Sequence, residues 1–211
     1  MSDIEADVSQ LAASEWGGGV LPYAGSKKFG MWLFIVSDAI TFSVLLVGYA
    51  YVRVASQNWP QPFEFFPSIV TATVMTLCLL SSSLTMVMAV NASRRGNRAR
   101  TVRWLLATIA GGLAFLVLHG NEWNKLIHEG MTLFSNPWGA PLFGATFFAL
   151  TGMHMFHVFT GVGYLGVVAF ATGRGKFNAE DVEVSGLYWH FVDLVWMFIF
   201  PLVYILSIHR G

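Results

Sequence analysis

Five apolar runs, each long enough to cross a bilayer, divide this 211-residue chain and leave it few folds to choose from. They are approximately Phe29–Val52, Pro67–Val90, Val102–Gly120, Leu142–Thr172 and Leu187–Ile208. A transmembrane helix needs about 20 predominantly apolar residues, and the fourth run exceeds that, so it should tilt or protrude. The expected fold is all-α: residues 29–211 form an integral membrane bundle of five transmembrane helices behind an N-terminal tail, residues 1–28. That tail begins acidic and carries Gly17-Gly18-Gly19, without the basic start and apolar core of a cleavable signal. Composition agrees. Charged residues make up 11% of the chain, against about 25% in soluble domains, which is too little to cover a water-facing surface. The formal net charge of zero argues against a nucleic-acid partner, and the lone Cys78 supports neither a disulfide framework nor a cysteine metal site.

Lys and Arg set the expected orientation. Lys27, Lys28, Arg94, Arg95, Arg98, Arg100, Arg103, Arg174 and Lys176 fall on the side of the N-terminus, and only Arg53, Lys125 and Arg210 on the other. Basic loops stay cytoplasmic, so the N-terminus reads as cytoplasmic and the C-terminus as periplasmic. Topology alone accounts for the Arg94–Arg103 cluster. Trp16, Trp59, Trp104, Trp123 and Trp138 sit near span ends as interfacial anchors. Gly111-Gly112 and Ser81-Ser82-Ser83 lie inside spans, where small residues let helices approach closely.

Ionisable groups inside these spans call for partners, because a charge facing lipid is costly. Asp38 lies roughly 14 Å into the first span at 1.5 Å per residue, near the midplane. His154 and His157 share one face of the fourth span at i, i+3, and His190 and Asp193 share one face of the fifth. All five occupy similar depths and could meet. Three readings compete: a satisfied structural network with room to cup a lipid, haem ligation by His119, His154, His157 and His190, and a proton relay or ion path. An i, i+3 pair on one helix cannot clamp both faces of a haem. His154-Met-Phe-His157 lacks further ligands at zinc spacing. His119 and Glu122 are also i, i+3, but at the outer end of the third span, where solvation is expected to be cheap.

The string Tyr188-Trp189-His190-Phe191-Val192-Asp193-Leu194-Val195-Trp196 closely resembles the last transmembrane helix of subunit III of haem–copper oxygen reductases. Phe143-Gly144-Ala145-Thr146-Phe147-Phe148-Ala149-Leu150-Thr151-Gly152-Met153-His154-Met155-Phe156-His157-Val158 is a second match. Lys28-Phe29-Gly30-Met31-Trp32-Leu33-Phe34-Ile35-Val36-Ser37-Asp38 resembles the family's first shared helix, where a buried carboxylate follows a Ser. Glu122-Trp123 with Leu126-Ile127 and Glu129-Gly130 resembles the loop after the third span. The likeness covers nearly all of residues 27–208.

The resemblance implies the five-span bacterial form of subunit III, a multi-pass protein of the bacterial inner membrane. Its helices would form two groups around a lipid-filled cleft, packed against catalytic subunit I and accompanied by other oxidase subunits. It implies no haem or copper in this chain, those being held by partner subunits, and bound phospholipid. The role would be non-catalytic, within an enzyme that reduces oxygen to water and moves protons: stabilising subunit I in turnover and supporting cytoplasmic proton uptake. Asp38, His154, His157, His190 and Asp193 match the family's buried polar positions, with Glu122, Trp189 and Trp196 subsidiary. Two alternatives stay open, a nitric-oxide-reductase-associated homologue and a free-standing haem b membrane cytochrome. The Glu122–Pro141 pattern favours cytochrome c as electron donor, whereas Asp in place of the commoner Glu at position 38 points to quinol.

The nine-to-three division of basic residues makes a direct prediction. In an Arg98→Cys variant, the thiol is expected to react with membrane-impermeant reagents only from the cytoplasmic side, and labelling from the periplasm alone would reverse the topology.

Overall fold

The computed structural model describes residues 23–207. Five helices follow in order: α1 (Tyr23–Ala55), α2 (Val70–Arg94), α3 (Arg98–His128), α4 (Pro141–Gly173) and α5 (Ala179–Ile199). Wider and tighter turns, Phe200–Tyr204 and Ile205–Ser207, carry α5 onward, and the segment Phe65–Ile69, kinked at an extended Phe66 (φ −122°, ψ 128°), leads into α2. All five helices are long and apolar enough to cross a membrane. No strand occurs among the described residues.

Helix ends depart from the apolar runs in a consistent way. α1 begins at Tyr23, six residues before the expected boundary of the tail, whose residues 1–22 lie outside the described region. α3 continues to His128 and α5 begins at Ala179, each eight residues beyond the expected span. Hydropathy marks the stretch that needs lipid, while capping residues decide where the backbone starts to coil. Asn97 caps α3 by accepting from Arg100 N at 3.0 Å. Asn178 and Asp181 form a reciprocal capping box at α5, each side chain accepting from the other's backbone N–H. Between α2 and α3, and again between α4 and α5, the chain reverses through a left-handed glycine, Gly96 (φ 70°) and Gly175 (φ 72°). Each glycine closes its helix with a pair of bonds back to the last turn: Gly96 N to Ser93 O with Asn97 N to Ala92 O, and Gly175 N to Thr172 O with Lys176 N to Ala171 O.

α5 is the hub. It packs against α1, α2 and α4, while α2 and α3 run together along their length and α3 also meets α4. α1 packs chiefly on α4 and α5 and turns a broad apolar face outward, with Ile40, Val44 and Val47 exposed. Ion pairs gather α1, α2 and α5 at one end: Lys27–Asp181 at 2.8 Å, Lys28–Glu183 at 2.9 Å and Arg94–Glu183 at 3.0 Å. At the other end Arg53 donates to the carbonyls of Leu202 and Leu206, and Trp59 Nε1 donates to Ser207 Oγ at 3.3 Å.

The centre is fastened by Trp189. Its indole lies in a notch left by two glycines: a Cβ at Gly112 would stand 2.6 Å from Trp189 Cη2, and one at Gly161 would stand 3.1 Å from Cζ3. Trp189 Nε1 donates to Ser82 Oγ at 3.0 Å, and two turns further Trp196 Nε1 donates to Thr76 Oγ1 at 2.9 Å. Both indoles are thereby desolvated without leaving a donor unpaired, which lipid would penalise.

Gly112→Ala is therefore expected to destabilise the protein by about 1–3 kcal/mol through overpacking. Gly163→Ala, whose Cβ would meet nothing within 4 Å, should be neutral or slightly stabilising. Equal shifts of the two variants in a detergent-unfolding midpoint would contradict the notch.

Candidate functional site: buried polar groups inside the bundle

Two carboxylate–imidazole sets lie inside the bundle, on different helix pairs. The first joins α1 to α4. His157 Nε2 is 2.9 Å from Asp38 Oδ2, a close charge contact without an aligned hydrogen bond. Both residues are buried. On its other side the ring places Nδ1 2.8 Å from the Met153 carbonyl, so Nδ1 carries a proton and Nε2 faces the carboxylate. A further proton between Nε2 and Oδ2 leaves the pair neutral as a whole, on whichever atom it resides. Phe42 covers the pair edge-on, 5.1 Å from the His157 ring. Tyr188 of α5 donates its hydroxyl to the His157 carbonyl at 2.9 Å and meets Thr160 Oγ1 at 3.2 Å.

The second set joins α5 to α2. Ser83 Oγ lies 2.6 Å from His190 Nδ1 and also faces the carboxylate of Asp193. Asp193 is buried and His190 half-buried. The five polar residues of similar depth thus do not converge on one point. Asp38 meets His157, and His190 and Asp193 share Ser83.

His154 belongs to neither. Fully buried, it stacks on Trp196 with centroids 5.2 Å apart and meets Phe115 edge-on at 5.6 Å. His119 lies against the same two rings, 5.4 Å from Phe115 and 5.5 Å from Trp196. The expectation that His119 and Glu122 would be cheaply solvated is wrong. His119 is 0% exposed and Glu122 is 5% exposed. The reason is that α3 runs on past them for another turn and a half, while α5's final turns and Ser68 close over that end. Among the described residues no three His, Cys, Asp or Glu side chains converge as metal ligands would.

Sequence reasoning missed the hydroxyls. Ser82 and Ser83 read as small packing residues and nothing singled out Thr76, yet each receives or faces a polar group of α5. The available signal was spacing: Trp189 and Trp196 are seven apart on α5, and Ser82 and Thr76 are six apart on α2, so the rungs repeat at two helical turns.

The family model for cytochrome c oxidase subunit III matches residues 22–208. Quinol oxidase subunit 3 of Bacillus spizizenii is 32% identical over 182 residues, covering 85% of this chain and 86% of the relative. Cytochrome c oxidase subunit 3 of Alkalihalophilus pseudofirmus is 31% identical over 188 residues, with 87% and 89% covered. Cytochrome bo(3) ubiquinol oxidase subunit 3 of Pseudomonas aeruginosa is 31% identical over 186 residues, with 87% and 86% covered. With its five spanning helices and a match that runs from before the first to the end of the last, the chain belongs to the cytochrome c oxidase subunit III family of the haem–copper oxidases.

Proposed function

We propose that this chain is the non-catalytic third subunit of a respiratory haem–copper oxidase in a bacterial inner membrane, with its N-terminus in the cytoplasm. It packs against catalytic subunit I, alongside the other oxidase subunits, and keeps that subunit active in sustained turnover. It also supports proton uptake from the cytoplasmic side, with phospholipid bound in the assembly. Haem and copper, which supply the oxygen chemistry, belong to the partner subunits, as do the contacts with the electron donor.

The observation that carries the reading is the Asp38–His157 contact. Intramembrane ionisable groups are expensive and usually serve ion or proton movement. This pair can take up or pass one proton while staying buried, because the imidazole is held through Nδ1 and the carboxylate stands at Nε2. His154, packed between Phe115 and Trp196, and the Ser83 set support a second role in holding α2, α4 and α5 in register.

Removing the subunit from the purified oxidase should leave the haem spectrum nearly unchanged. Oxygen consumption should start at a comparable rate, then decay faster or slow at alkaline pH. Asp38→Ala should reproduce part of this loss, and Asp38→Asn a smaller part, since the amide keeps shape and hydrogen bonding without charge. Oxygen-electrode traces over many turnovers check both. Loss of a haem band on depletion, with subunit I intact, would instead make the chain a cytochrome.

A further inference from the structure

At the basic end of the bundle the α2–α3 and α4–α5 turns face each other across a cavity of about 310 Å³. Arg98 and Lys176 line it, with the hydroxyl-bearing Ser93 and Thr172, and no carboxylate does. Of the nearby acids, Asp181 and Glu183 pair with Lys27, Lys28 and Arg94, and Glu180, next to the lining residue Ala179, does not itself line the cavity. Two cations converging on a cavity without an acid call for an anion.

Thr172 marks the floor. It is 3% exposed, and its Oγ1 has no hydrogen-bond partner among the described residues. Other helix threonines, Thr76, Thr108, Thr151 and Thr160 among them, donate that hydroxyl to the carbonyl four residues earlier. Thr172 lines the cavity with that hydroxyl buried and unpartnered, while its carbonyl closes the turn through Gly175 N. The guanidinium of Arg98 lies over Gly175, where a Cβ would stand 2.6 Å from Nη1. The left-handed glycine thus both makes the turn and leaves room for the cation.

We propose that this cavity binds a phosphoryl group, held by Arg98 and Lys176 and seated on the Thr172 hydroxyl. Planar guanidinium, ammonium and a hydroxyl donor are the set that phosphate oxygens accept from. The source is either an anionic lipid headgroup, since the cavity lies where helix ends meet the membrane surface, or free phosphate. The general excess of basic residues at this end follows from topology. Topology does not require that two of them meet over a buried free hydroxyl.

The test uses the intact oxidase. Purified complex is stripped of exchangeable lipid, then offered phosphatidylglycerol or phosphatidylcholine in nanodiscs, or inorganic phosphate in detergent. Bound lipid is counted by native mass spectrometry and bound phosphate by ³¹P line broadening. Arg98→Gln with Lys176→Gln should weaken binding at least tenfold, and Thr172→Val about threefold or more. Thr172→Ser, which keeps the hydroxyl, should stay near wild type, and the amount of this subunit per complex, read from the same native mass spectra, verifies assembly of each variant. Loss confined to phosphatidylglycerol identifies a lipid headgroup, and loss of inorganic phosphate binding identifies a free anion. Either supports the site. Arg103→Gln removes an exposed cation that does not line the cavity. If it lowers binding as much as Arg98→Gln does, or if the double variant binds as the wild type, the proposal is overturned.

Discussion

The seating of Trp189 is the contact on which the rest of the bundle depends. One side chain of α5 touches α3 through Gly112, α4 through Gly161 and α2 through Ser82. In lipid, helices gain little from burying apolar surface against one another, so close packing and interhelical hydrogen bonds decide which faces meet. A large indole in a two-glycine notch supplies both at one point. Once α5 is fixed in rotation by that ring, Tyr188 and Phe191 face α1 and α4, while His190 and Asp193 face Ser83 on α2.

The polar chemistry of the interior follows from this rotation. Hydrogen bonds of the indoles to Ser82 and Thr76 are each worth about 1 kcal/mol net, yet leaving either indole unpaired would cost more. The same asymmetry governs Asp38. Its carboxylate is tolerable in the bundle because an imidazole stands 2.9 Å away on the neighbouring helix. Stability and candidate function therefore use one device, a polar group on one helix completed by another.

Much of this was legible in the chain. Apolar runs located five helices, and depth with i, i+3 spacing singled out Asp38, His157, His190 and Asp193. Helix ends were less legible, because caps such as Asn97 and Asn178 lie outside the apolar stretch that hydropathy detects. That error propagated to His119 and Glu122, which seemed to sit at a wet edge only because the third span seemed to stop at Gly120. Partners across helices were least legible of all: Trp189 and Ser82 are 107 residues apart, and Trp196 and Thr76 are 120 apart. No local pattern announces such pairs. Relatives named for cytochrome c and for quinol match this chain almost equally, as expected if no donor contact lies in it.

The outermost position of α1 bears on how the protein is made. Asp38 and His157 are separated by 119 residues of chain, so at about 5–20 residues per second roughly 6–24 s pass between their synthesis. During that interval the first helix is ready for the membrane while the imidazole that completes its carboxylate has not left the ribosome. Until α4 arrives, Asp38 lacks the ring that meets it in the finished bundle. α1, made before α4, is thus locked only after α4. A nascent chain halted before residue 157 would carry Asp38 without the imidazole that stands 2.9 Å from it in the finished bundle.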